Sequence, residues 1–278
     1  MNVTIINDCR DENAKGRQVT RAISLFKCPV SFIRVENDLE AAGNLIDTLD
    51  ALEENAGVVL VNVAPRNGSG KKWPNGSPFG YFWYKKILVV SSVDGLTLSL
   101  IKKFKLCKKI IVLDTRKTLE KFAKEKVIPE ELVDYIAKSQ FRSYDFLPRV
   151  GTYLAKGKKL AGEKLSIEGI PNAPKAIWWI DNFGNFKTTL LSEDLNPPLS
   201  RFNLDNGIET KFGKLPYYNR LKEVPDRKVA IITGSSGLGE KRFLEIVVQD
   251  VNGSARNKFN ASVGDSIFNS PDRKVLGR

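Results

Sequence analysis

Through the first half of the chain, short apolar blocks alternate with stretches of helical periodicity. Residues 2–7 form an apolar block with polar flanks, which predicts a buried strand. Residues 12–26 place Val19, Ala22, Ile23 and Phe26 at helical spacing, and Pro29 stops the run. Ser31–Val35 predicts a second strand. Leu39, Ala42, Leu45, Ile46, Leu49 and Leu52 lie on one face of an amphipathic helix, Gly57 ends it, and Val58–Val63 is apolar throughout. Further strands are expected at Lys86–Ser91 and Lys109–Leu113. Further helices are expected at Leu96–Phe104, Thr118–Lys126 and Glu130–Ser139. Strands alternating with helices predict an α/β domain with a mostly parallel sheet.

The pattern changes after Ala155. The stretch to Pro174 is rich in Gly, Pro and Lys and reads as a linker. Beyond it, strands dominate: Lys175–Ile180, Lys187–Leu191, Gly207–Thr210, Val229–Thr233, Phe243–Val248 and Asp265–Phe268. Turn formers separate them at short intervals, which predicts a smaller all-β barrel or sandwich. The expected division is therefore an α/β domain over 1–157 and a β-rich domain over 172–278. Between them in character is Trp73–Tyr84, dense in rings, glycines and prolines, which suits a ligand-covering loop or a subunit contact, with a twisted hairpin packing its own rings as the alternative.

At 278 residues the chain has room for one large or two ordinary domains. It contains no histidine. That removes the usual general base near neutral pH, the Ser-His and Cys-His nucleophile pairs, and nearly all catalytic zinc sites, so no metal is expected. Cys9, Cys28 and Cys107 are widely spaced and odd in number, which suits reduced thiols in a cytoplasmic protein. No apolar run approaches a membrane span, and residues 1–10 lack the basic start of a signal peptide. The net charge of +12 raises the question of nucleic acid. The lysines are scattered in pairs, such as Lys85-Lys86 and Lys158-Lys159, which speaks for solubility rather than for a binding face.

The most informative ten residues are Ile180-Asp181-Asn182-Phe183-Gly184-Asn185-Phe186-Lys187-Thr188-Thr189. An acid, a ring and an amide in one turn suit an adenine-type ligand: the ring stacks on the base, the amide reads its edge, and the carboxylate takes a hydroxyl or an ammonium. The same run also suits an ordinary hairpin turn. Asp8 ends the first strand, where α/β sheets bind ligands, with Asn13 five residues on; alternatively Asp8 or Asp11 caps the following helix. Pro65 to Lys72 follows an apolar strand and could cradle an anion through its glycines and Lys71 or Lys72, but it lacks the spacing of a P-loop. Gly234-Ser235-Ser236-Gly237-Leu238-Gly239 reads as a glycine-rich turn whose amides suit a carboxylate.

These segments, in this order, resemble the S-adenosyl-L-methionine hydroxide adenosyltransferases, the family that also holds the fluorinases and chlorinases. Asp181 to Thr189 is similar to its Asp-His-Phe-Gly-Asn-x-x-Thr-Asn segment. Ile5 to Asp8 is similar to its first strand ending in Thr-Asp-Phe-Gly, and Asp145 to Pro148 to its Arg-Asp-x-Phe-x-Pro. Phe243 to Val248 with Asn252-Gly253-Ser254-Ala255, and then Val263-Gly264-Asp265, resemble its closing motifs. The resemblance implies an α/β domain followed by a β domain. It also implies a homotrimer whose site lies between the first domain of one subunit and the second domain of its neighbour. It implies S-adenosyl-L-methionine as substrate or ligand, no further cofactor, and attack at ribose C5′ with methionine leaving. By position, Phe183 stacks on adenine, Asn185 and the neighbourhood of Gln249 read its edge, and Asp181 takes the methionine ammonium. Asp8, with Asn13, takes the ribose, and Ser235 or Ser236 takes the carboxylate. The family's water-preparing Asp, Arg and His fall on Ala64, on Lys71 or Lys72, and on Phe141, with Ser143 as a nearby hydroxyl. Binding with slow or lost cleavage is therefore the alternative to hydrolysis, and a basic RNA-binding scaffold is a third reading.

Overall fold

The computed structural model describes residues 1–64, 76–195, 207–250 and 254–269. The chain divides into two compact units, Met1–Asn172 and Ala173–Arg278.

The first unit is built on β1 (Asn2–Asn7), β2 (Val30–Arg34), β3 (Gly57–Asn62), β4 (Phe79–Tyr84), β5 (Ile87–Ser92), β6 (Lys109–Val112) and β7 (Glu163–Ser166). They form a seven-stranded sheet in the order β2-β1-β3-β5-β4-β6-β7. The half from β2 to β5 is parallel, while β4 pairs antiparallel with β5 and β6, and β7 antiparallel with β6. The sheet is mixed, where the pattern predicted mostly parallel pairing. Its helices are α1 (Glu12–Phe26), α2 (Asp38–Ala51), α3 (Ser99–Lys103), α4 (Thr115–Lys124), α5 (Leu132–Ala137), α6 (Arg142–Asp145) and α7 (Leu147–Ala155). Asp11 starts α1 by accepting from the Ala14 amide at 2.9 Å, and Asn37 starts α2 by accepting from the Glu40 amide at 2.9 Å.

Alternate side chains of the parallel strands set the core. Val3 and Ile5, Val58 and Leu60, and Leu88 and Val90 share one cluster with Ala22 and Phe26 of α1 and Val150 and Leu154 of α7. The apolar stripe of α2 packs against β1 and β3. From β1 the chain steps to β2 on one side, then returns to β3 on the other. The carboxyl ends of β1 and β3 therefore flank a topological switch point, the place where such sheets bind ligands.

Two stretches differ from the expectation. Phe79–Tyr84, predicted as part of a covering loop, is strand β4, with Phe79 and Phe82 buried. Phe79 and Phe82 point to opposite faces of the strand, so both faces of β4 are covered and each takes a ring; Trp73, Pro74 and Asn75 of that loop lie outside the described residues. Glu163–Ser166, inside the expected linker, adds β7 to the sheet, so the first unit runs on to Asn172.

The second unit holds β8 (Ile177–Ile180), β9 (Phe186–Leu191), β10 (Ile208–Thr210), β11 (Gly213–Leu215), β12 (Tyr217–Tyr218), β13 (Val229–Leu238), β14 (Lys241–Val248) and α8 (Ala255–Phe259). Five strands form a sheet in the order β12-β13-β14-β9-β8, and β10 pairs with β11 as a separate hairpin. Neither a closed barrel nor two facing sheets of comparable size appears among the described residues. Asp265–Phe268, expected as a strand, contributes only a bridge between Ala176 and Ser266. Ile177, Phe186, Ile231, Leu244, Ile246 and Ile267 form the core.

Among the described residues no helix is long and apolar enough to cross a membrane. Cys9, Cys28 and Cys107 form no disulfide. Burial pushes Cys107 up from 9.0 to about 11, because a thiolate loses its hydration there. Its alkylation at pH 8 is expected to run roughly 100-fold slower in the native protein than in the urea-unfolded chain, in step with the smaller thiolate fraction. Timed iodoacetamide labelling read by peptide mass spectrometry checks this; equal rates in the two states would refute it.

Candidate functional site

Each unit carries one constellation of interest, and each is built within its own unit. In the first, the ends of β1 and β3 form a shelf. Asn7 is fully buried, and its side chain bridges three elements: Nδ2 donates to Gln18 Oε1 of α1 at 2.5 Å, while Oδ1 accepts from the Cys9 amide at 2.8 Å and from Asn62 Nδ2 at 3.3 Å. This clamps the backbone so that Asp8 follows at a fixed angle. Asp8 Oδ2 accepts from the Ala64 amide at 3.1 Å. Capping of α1 falls to Asp11, which leaves the Asp8 carboxylate at the strand ends.

A cavity of about 430 Å³ opens beside this shelf, lined among others by Asp8, Asn62, Ala64, Ser139, Phe141, Arg142 and Ser143. Ser143 is buried, and Ser139 Oγ donates to Asp145 Oδ2 at 2.8 Å. Arg142 is the half-buried cation of this cavity, beside the exposed Lys138. It donates to the Ser77 carbonyl at 2.9 Å and lies 5.4 Å from the centre of the Phe79 ring. Burial holds its guanidinium below the ordinary arginine value, yet an arginine there stays charged at neutral pH. Gly76 leaves it room: a Cβ at that position would sit 2.8 Å from Arg142 Nη2. No sequence motif marks Arg142, since its neighbours Ser77 and Phe79 are far away in sequence. Asn13 lies exposed in the first turn of α1 and does not line the cavity. Lys71 and Lys72 lie outside the described residues.

In the second unit, Asp181 organises the β8–β9 turn. Its Oδ1 accepts from the Phe183 and Asn185 amides, both at 2.9 Å, and Oδ2 accepts from Asn185 Nδ2 at 3.2 Å. Gly184 takes φ of +79° and comes so close to Ser254 that a Cβ would meet its Oγ at 2.4 Å. The Gly184 carbonyl in turn accepts from the Arg256 amide at 3.0 Å. The turn is thus fixed from within and from α8. It presents Phe183 outward, with 73% of that residue exposed. Asp181, Phe183 and Asn185 line a broad cavity of about 1260 Å³ together with Gln249, Asp226, Arg227 and Asn257. Gln249 is held there by its backbone, which accepts from the Arg227 amide at 2.6 Å and donates to the Lys228 carbonyl at 3.1 Å.

Ser235 and Ser236 stand apart from this cavity. The expected glycine-rich turn is instead the outer half of β13, which continues to Leu238 and pairs with β14 after a register shift between Thr233 and Gly237. Ser236 is buried and accepts from Lys187 Nζ at 2.8 Å, and the Ser235 carbonyl accepts from Arg242 at 3.1 Å. Among the described residues no group of three or more His, Cys, Asp or Glu side chains is placed to hold a metal ion.

No family model matches the chain, and no curated protein matches it. Solved structures do. An uncharacterized conserved protein from Thermotoga maritima is similar at a TM-score of 0.65 and 17% identity, over 95% of this chain and 98% of that one. A conserved hypothetical protein from Thermus thermophilus is similar at 0.59 and 17%, over 95% and 96%. At that identity the likeness carries the fold alone: an α/β unit with an additional β region.

Proposed function

We propose that this protein binds S-adenosyl-L-methionine or a related adenosine compound, with the Asp181–Asn185 turn as its base-recognition element. The observation that carries this reading is Phe183. A large ring held 73% exposed at the rim of a polar cavity offers a ready face for a base to stack on. The turn holds it rigidly, so little ordering remains to be done on binding. Asn185 and Gln249 stand in the same cavity to read a base edge. Asp181 already accepts three hydrogen bonds in the turn, but a carboxylate has about four acceptor sites, which leaves capacity for an ammonium or hydroxyl. On this reading Asp8, in the first unit, takes the ribose, and the two units meet across subunits of a homotrimer. Cleavage at C5′ by water, with methionine leaving, is the reaction of the reading; Ser143, Lys71 and Lys72 are its weak candidates for assistance. Binding without efficient cleavage is the second reading, favoured by Ala64 and Phe141 at the strand-end cavity.

Calorimetry with S-adenosyl-L-methionine and with adenosine tests the binding step. Phe183→Ala breaks no hydrogen bond of the turn, so its effect reports the ligand directly; an affinity loss of about 1–3 kcal/mol is expected. Asp181→Ala and Asn185→Ala are expected to cost about 1–3 kcal/mol each, as a buried partner is left unpaired. Unchanged affinity in all three variants removes the site.

A further inference from the structure

At the edge of the strand-end cavity, which Phe141 lines, two arginines lie over a pair of aromatic rings and a third is close enough for its charge to be felt. Arg17 and Arg21 lie one turn apart on α1, and Arg149 comes from α7. The Arg21 guanidinium stands 4.3 Å from the centre of the Tyr144 ring and donates to the Tyr144 hydroxyl. Arg17 stands 4.7 Å from the same ring and 5.1 Å from that of Phe141, and the two rings stack at 5.5 Å. Arg149 donates to the backbone carbonyl of Asp145.

None of the ion pairs among the described residues includes any of the three. The acids of α1 are engaged elsewhere: Glu12 pairs with Lys15 and Arg34, and Asp11 caps the helix. Asp145, whose charge acts on Arg149, is buried and accepts from Ser139. Burial, and then the charge of Arg21, hold Arg149 below its ordinary value. Three like charges gathered around one carboxylate, Asp145, outnumber it, and the fold gains by lodging an anion among them. A guanidinium carries five N–H donors, so one donated within the protein, as by Arg21 and Arg149, leaves others to match the oxygens of a phosphate. The rings hold the arginine planes in place before any ligand arrives, which lowers the ordering cost of binding.

We infer that Arg17, Arg21 and Arg149 form a phosphate-binding site, built from residues other than those of the Asp181–Asn185 turn, for phosphate groups carried by a nucleic-acid strand or by a free polyphosphate. The net charge of +12 favours the strand, because it speeds the encounter with a polyanion. The lysine pairs scattered along the chain do not point to this face. The fold makes it, by bringing Arg149 beside two arginines more than a hundred positions earlier in the chain.

The test uses two probes on the full chain: a labelled short single-stranded RNA read by fluorescence anisotropy, and inorganic tripolyphosphate read by calorimetry. Each is measured with wild type, R17A/R21A, and K108A/K109A, which makes the same charge change elsewhere on the first unit. R17A/R21A is expected to weaken whichever probe binds by at least about tenfold, against less than about threefold for the lysine variant. For RNA, the slope of log affinity against log salt should fall by about 1.4, at roughly 0.7 per lost contact. Y144F, which removes only the hydroxyl that orders Arg21, should weaken binding several-fold without loss of fold. Preference for RNA identifies the source as a strand, and preference for tripolyphosphate identifies it as a small polyphosphate; either supports the site. Binding of neither probe at about 50 mM salt, or equal losses in the arginine and lysine variants, overturns it.

Discussion

Replacing Lys187 by Met lowers the stability of the second unit by about 3–5 kcal/mol. The reason lies in where the ammonium sits. Lys187 of β9 and Glu245 of β14 face each other across the sheet at 3.0 Å, with side chains only 15% and 8% exposed. Lys187 also donates to Ser236 Oγ. Gly234 of β13 lies against the Glu245 carboxylate so closely that a Cβ would stand 2.3 Å from its Oε1. Truncating the lysine leaves a carboxylate with little access to water and removes its cation, which is the costly way to break such a pair. Replacing both partners, as in K187M/E245L, removes the uncompensated charge and is expected to recover most of the loss, since a buried pair and apolar residues of similar volume often come out nearly even. Urea unfolding followed by the fluorescence of Trp178, buried in this unit, measures both variants. A Lys187→Met loss below about 1 kcal/mol would place the pair among solvated ones.

That pair also explains why part of this chain can be read from its pattern and part cannot. The stripe from Leu39 to Leu52 needs no tertiary information: period and caps agree, and the helix forms as Asp38–Ala51. Val58–Val63 is similar, because an unbroken apolar run flanked by turn formers has few other uses. Phe79–Tyr84 is harder. Its rings follow prolines and glycines and read as a loop; only the pairing with β5 and β6 shows which of them the core takes. In Val229–Leu238 the glycines signal a turn on paper, yet Gly234 is there to admit Glu245, and Gly237 lies in the irregular part of the ladder. The candidate sites divide along the same line. Asp181, Phe183 and Asn185 are neighbours in sequence and form a local turn, so their geometry is readable. Gln249 is reached from the sequence only through the family resemblance, while Arg142 and the arginines around Tyr144 depend on elements distant in sequence, and no spacing announces them.

Incubated with S-adenosyl-L-methionine, the protein is expected to bind it and to release adenosine slowly or not at all. The expectation combines the proposed ligand with what lines the strand-end cavity. Where the resemblance places an Asp, Ala64 offers only its backbone amide, already donated to Asp8. Where it places a His, Phe141 stacks on Tyr144 beneath Arg17. Arg142 is the charged side chain that faces the cavity from α6, and a guanidinium cannot take a proton from water. A lysine at 71 or 72 fares no better, since an ordinary lysine, with a pKa near ~10.4, is protonated at neutral pH. An ordinary carboxylate, near ~3.9, is a weak base there. A positioned general base typically contributes ~100-fold to ~10,000-fold to the rate, and turnover should be depressed by that order while alignment of the ligand survives. Chromatography for adenosine and methionine after single-turnover incubation, set beside calorimetric binding, reads the two separately. Brisk and equal release of both products would show that another group prepares the water, and would move attention to Ser143 in the cavity and to Asp94, which accepts from Ser77 at its edge.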